Sequence, residues 1–102
     1  MTKSNKNFEL LKKFQSKTLL LTHNMIEHTI NENVEKVETL SEQRGQILNI
    51  ISYLNTQVDA NDKQVLMKDF TEELMNLDEK LEIHLNELKT KVKSEISSVF
   101  QN

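Results

Sequence analysis

Three histidines, His23, His28 and His84, are the residues of this 102-residue chain best suited by type to metal or proton-transfer chemistry. His23 stands four residues before Glu27, and His28 four before Glu32. On a helix that spacing places imidazole and carboxylate on one face, where they can hold a divalent ion, but it is also the spacing of ordinary surface pairs. Carboxylate-bridged centres in helical bundles need Glu-x-x-His on facing helices. The residues three before the histidines are instead Leu20, Met25 and Leu81. None of the histidines is followed three residues on by Lys and then Gly, the context expected of a phosphorelay histidine. One glycine cannot build a phosphate-cradling loop, and no Ser or His lies in a turn shaped to expose a nucleophile. The chain lacks cysteine, so disulfides, iron–sulfur clusters and thiol chemistry are excluded. The expectation is a protein that is not an enzyme, with no metal and no cofactor.

The charge distribution argues against a nucleic-acid partner. The net charge is −3, made of +4 over residues 1–20, −4 over residues 21–60 and −3 over residues 61–102. The basic end has lysines without interleaved aromatics or clustered arginines, which reads as a solvated helix face. "TLLLT" is too short to cross a bilayer, and the first residues lack the apolar run of a signal peptide. No membrane insertion is expected, and the cytoplasm is the expected location.

Elements that position these residues must be helices. The chain has one Gly and no Pro, so turn-forming punctuation is nearly missing, and its length suits a single domain over residues 1–102. Leu11, Phe14, Thr18, Leu21, Met25 and His28 step by three and four, defining a first helix from about Ser4 to Ile30. Ile30, Asn33, Val37, Leu40, Arg44, Ile47, Ile51, Leu54 and Val58 do the same in a second frame, out of phase with the first. The slip falls in "TINEN", where Thr29, Asn31 and Asn33 are capable of capping, so a turn belongs there. In "DANDKQ", Asn61 and Gln64 have capping-box spacing, which predicts a tight antiparallel turn and a third helix. Its seam runs Met67, Phe70, Leu74, Leu77, Leu81, then Leu85, Leu88, Val92, Ile96, Val99 with two extra four-residue steps. The expected fold is all-α: an antiparallel bundle of three long helices.

If the second and third helices form a hairpin about residue 60, residue 32 faces residue 87 and the second helix runs out there. Residues 88–102 then overhang by roughly 20 Å at about 1.5 Å per residue. The overhang carries Leu88, Val92, Ile96, Val99 and Phe100, too apolar to rest in water uncovered. Residues 88–102 therefore either extend the third helix toward a protein partner or a second copy, or fold back as a fourth helix. A homodimer is one possible outcome, and a self-associating coiled-coil structural or adaptor protein the alternative function.

The stretch "VETLSEQRGQILNII" resembles the FliT-type flagellar export chaperones, short helical proteins with a pattern like "L..eRe.lL..i" in the second helix. Leu40, Arg44, Ile47 and Leu48 fall on that pattern, while Gly45 stands where the family more often has a charged residue. The resemblance implies a chaperone that binds the C-terminal helical segment of a secreted filament-cap subunit and escorts it to the type III export machinery. It implies contact in the groove between the second and third helices, here Ile47, Ile50, Ile51 and Leu54 facing Phe70, Leu74, Leu77 and Leu81. Leu88, Val92, Ile96 and Val99, with Phe100 beside them, are the segment able to cover that groove.

The only arginine, Arg44, falls inside the apolar arc of the second helix, directly before the only glycine. A guanidinium in a seam must snorkel or find a carboxylate. The hairpin register puts Met75 opposite, flanked by Glu73 and Asp78, so either acid is a candidate partner in a polar seam. Gly45, at the edge of the arc, is either a tolerated surface glycine or a place where another backbone approaches closely.

Overall fold

The computed structural model describes residues 3–101, with side chains from residue 6 to residue 100. Three helices account for the fold: α1 (Lys3–Ile30), α2 (Val34–Asn55) and α3 (Ala60–Gln101). The described residues contain no strand. Residues 88–101 continue α3 without a break, so the fold-back alternative is set aside; Asn102 lies outside the described residues.

Packing departs from the hairpin expected between α2 and α3. α1 is the helix that packs against both others, while α2 and α3 approach one another only weakly. The side chains that reach it are not those of an all-apolar stripe. Leu11, Gln15, Thr18, Thr22, Met25 and Thr29 follow steps of four and three, and all are buried. Threonine tolerates that position because each hydroxyl donates back to the carbonyl four residues earlier: Thr18 to Phe14 at 2.8 Å, Thr22 to Thr18 at 2.8 Å and Thr29 to Met25 at 2.7 Å. The hydroxyl is thereby satisfied and a small, dry surface faces the neighbours. Gln15 Nε2 lies 3.1 Å from the Met67 sulfur, a weak acceptor.

The apolar core is concentrated at one end. Leu11, Ile51, Leu54, Val58 and Phe70 form its buried cluster, beside the connection between α2 and α3. That connection is closed by polar caps: the Asp59 carbonyl accepts from Asp62 and Lys63, and Lys63 Nζ donates to the Asn55 carbonyl at 2.6 Å. The expected capping role of Asn61 passes to Asp59 because α3 starts two residues earlier, at Ala60. Toward the other end the packing thins. No residue of α2 before Ile51 is buried, and α3 keeps only Leu77 and Leu81 buried beyond Phe70.

The turn between α1 and α2 ends α1 with two tightening bonds, from Glu32 N–H to the Thr29 carbonyl at 3.1 Å and from Asn33 N–H to the His28 carbonyl at 2.8 Å. This pattern needs a left-handed residue, normally glycine. Glu32 takes it instead, with φ 63°. A side-chain-bearing residue there costs about 1–2 kcal/mol relative to a right-handed one. The Glu32 side chain offsets part of that by pairing with Lys91 of α3, Oε1 to Nζ 2.7 Å. The hydrogen bond to Glu32, then its charge, hold the Lys91 ammonium above its usual 10.5. Because the folded value is raised, the pair's contribution is present below pH 10.5 and is lost as pH rises through the raised value.

Gly45 sits on the exposed side of α2, and a Cβ built on it meets nothing within 4 Å. Among the described residues nothing approaches closely there, so it is a surface glycine. Gly45→Ala should raise stability by up to about 1 kcal/mol, read as an upward shift of the thermal midpoint.

Candidate protein-binding site

The seam charge is built from all three helices. Arg44 Nη1 donates to Asp78 Oδ1 at 2.6 Å and to the Thr22 hydroxyl at 3.2 Å. Of the two acids expected to flank Met75, Asp78 is thus the partner of the guanidinium. Glu73 is exposed and lies on the outer surface, as is Met75. Arg44 is 19% exposed and Asp78 45%, so the pair closes the open side between α2 and α3. Thr22 is missed by residue type, because a threonine in a helix reads as a tolerated substitute for an apolar residue. The signal available was its position, four residues from the seam member Thr18.

Beyond that clasp, toward the start of α2, a groove opens. Met25, Val37 and Leu85 line one section of about 570 Å³, together with the carboxylate of Glu42. A second section of about 640 Å³ continues past the start of α2, bounded by Val34, Leu85, Leu88 and Val92. The two sections share Leu85 and mix these apolar side chains with polar ones, Thr39 and Ser41 in the first and Asn86 and Thr90 in the second.

The residues expected at a partner surface divide between core and surface. Ile51 and Leu54 are buried at 3% and 5% exposure and belong to the core cluster, leaving nothing for a partner to touch. Ile47 is half-buried against the same cluster, and Ile50 points outward. Of the facing group on α3, Phe70, Leu77 and Leu81 are core and Leu74 packs against it. Leu88 is half-buried at the rim of the groove. Val92, Ile96, Val99 and Phe100 are exposed at 43%, 51%, 73% and 84%, the exposure rising with distance from the bundle. Every described side chain from Lys91 to Phe100 is exposed. A chain ending at Thr90 should therefore keep its helical signal per residue and melt within a few degrees of the full chain, because only the surface pair Lys91–Glu32 is removed.

Two of the histidines, His28 and His84, meet polar side chains at the surface, and His23 is exposed. His28 Nδ1 lies 3.3 Å from the Asn33 amide, and His84 Nδ1 lies 3.4 Å from Glu87. Glu32, the expected companion of His28, turns to Lys91. Among the described residues no three His, Cys, Asp or Glu side chains converge as a metal site. No described helix is long and apolar enough to cross a membrane.

No family model, curated protein or solved structure matches the chain.

Proposed function

We propose that this protein is a non-enzymatic helix-binding protein of the cytoplasm, an antiparallel helical bundle that works as a flagellar or type III export chaperone. Its cargo is the C-terminal helical segment of a secreted filament-cap-type subunit. The observation that supports this reading is the open groove beside Val34 of α2, whose apolar side chains Leu85, Leu88 and Val92 continue along α3 as the exposed Ile96 and Val99. An amphipathic helix presenting residues at i, i+3, i+4 and i+7 has the period and width to lie along such a face. The Lys89 and Lys93 ammonium groups flank the groove and Glu42 stands at its inner end, so a bound helix has charges of both signs to fix its direction.

The FliT-like resemblance supplies the cargo class. Leu40, Arg44, Ile47 and Leu48 carry it, and of these Arg44 is the clasp at the head of the groove. Calorimetric titration with a synthetic peptide of the host's filament-cap C-terminal helix tests the reading. Micromolar binding that is lost in Leu88→Asp and kept in Leu20→Asp is the expected result. No heat and no displacement at 100-fold excess would overturn it.

A further inference from the structure

The apolar face of α3, half-buried at Leu85 and Leu88 and exposed from Val92 onward, has a property that a general binding surface does not need. Leu85, Leu88, Val92, Ile96 and Val99 follow one another at steps of three, four, four and three, so the pattern reads identically from either end. Its centre is Val92. On a helix at about 100° per residue these five side chains occupy an arc of about 80°, with Val92 in the middle. Two such segments laid antiparallel bring Val92 against Val92, Leu88 against Ile96 and Leu85 against Val99, with no apolar layer left unmatched.

From this geometry we infer that the α3 face proposed above to take a cargo helix is occupied, when cargo is absent, by a second copy of the same chain, paired antiparallel about a two-fold axis at Val92 and displaced when cargo binds. The groove lies where this register needs it. Glu32 touches Lys91 and Arg44 touches Asp78, so the start of α2 stands level with Leu85 and Leu88 of α3. That is the level at which Ile96, Val99 and Phe100 of the second copy arrive. The groove bounded by Val34, Leu85 and Leu88 receives them, and Phe100, the most exposed apolar side chain of those described, falls on its α2 side. Residues 96–100, "ISSVF", carry no formal charge to desolvate. A parallel pairing would set the two bodies side by side at the same level, whereas the antiparallel one sends them to opposite ends.

The edges of the seam fix the salt response. One edge carries Lys89 and Lys93 and, by symmetry, the same two lysines of the second copy, with no acid between them. The other carries Lys91 and Glu95, which alternate across the axis. Each chain is also net −3. Repulsion of like charges therefore opposes association, and salt screens it.

The chain has no cysteine, so single engineered thiols report the register without ambiguity. Sedimentation equilibrium should show a reversible species of twice the 12.0 kDa protomer, with a dissociation constant on the order of micromolar, as for a small interface. That constant should fall severalfold between 50 mM and 500 mM salt. Under mild oxidation Val92→Cys should give a disulfide-linked dimer quickly, and Thr90→Cys, on the opposite side of the helix, slowly or not at all. Ile96→Asp should abolish the dimer while leaving the monomer's helical signal unchanged, since Ile96 is 51% exposed in the single chain. A strictly monomeric protein at 200 µM would overturn the inference. So would equal cross-linking rates for Val92→Cys and Thr90→Cys, or a dimer that survives Ile96→Asp.

Discussion

Leu11→Ala is expected to lower the unfolding free energy by about 2–5 kcal/mol, the range for removing a fully buried leucine from a core that cannot collapse around the gap. Leu11 has no exposed surface and is the contribution of α1 to the cluster of Ile51, Leu54, Val58 and Phe70. Three helices meet there, so relaxation of one is blocked by the other two. Proteins of this kind unfold with about 5–15 kcal/mol in total, so the loss takes a large share and should be plain in urea titrations followed by circular dichroism. Leu20→Ala, at a position 54% exposed on the same helix, should cost a small fraction of that. Comparable losses for the two variants would mean that α1 is not the helix through which the others are held.

The second large effect is an asymmetry across the Arg44–Asp78 pair. Asp78→Ala leaves a guanidinium that is 19% exposed with the Thr22 hydroxyl as its remaining partner. Stranding a largely buried charge is costly, and a loss of about 1–3 kcal/mol is expected after allowing for the water that reaches Asp78. Arg44→Met should cost less or nothing, because an unbranched apolar side chain suits the seam between Leu40 and Ile47 and frees Asp78 to face solvent. Thr22 loses nothing essential in either variant, since its hydroxyl still donates to the Thr18 carbonyl. Both variants and their double, melted at low and high salt, decide the matter. If Arg44→Met proves the more damaging, the guanidinium holds the helices together through its stem and its bond to Thr22 rather than through its charge.

The periodicity of α2 and α3 was legible because leucine, isoleucine and valine repeat there at helical spacing. The turn at residues 29–33 was legible because a phase slip falls beside cap-capable residues, and the one after Val58 because Asn61 and Gln64 have capping-box spacing, although α3 starts at Ala60, two residues before that spacing places it. The centre of the buried face of α1 was not. Phe14 and His28 look more core-like than Gln15, Thr22 and Thr29, yet the last three are the more deeply buried. A hydroxyl that bonds its own helix behaves as a small apolar group, and hydropathy does not register that. The pairing of α2 with α3 was read from the tight turn near residue 60, and Ile51 and Leu54 were given to a partner by the resemblance; α1 takes both places, packing against each of the other helices and covering these two side chains. Counting residues located the overhang of residues 88–102 but left open whether it extends the third helix or folds back, because both outcomes have the same sequence pattern; the unbroken α3 decides for extension.

The uneven placement of the core has a consequence for how the molecule breathes. Local opening costs little where few apolar contacts must be broken, and the full unfolding energy where many must. Along the single helix α3 both regimes occur, with Phe70 buried in the cluster near one end and every described side chain past Thr90 in solvent. Backbone amides of one unbroken helix should therefore exchange with deuterium on a gradient, slowest near Phe70 and fastest over the last three turns. A helix that is solid at one end and frays at the other is a spring clamped on one side. Its loose end can search a volume of solution while its anchored end stays in register, and whatever settles on that end would be recorded as protection spreading outward from Leu88.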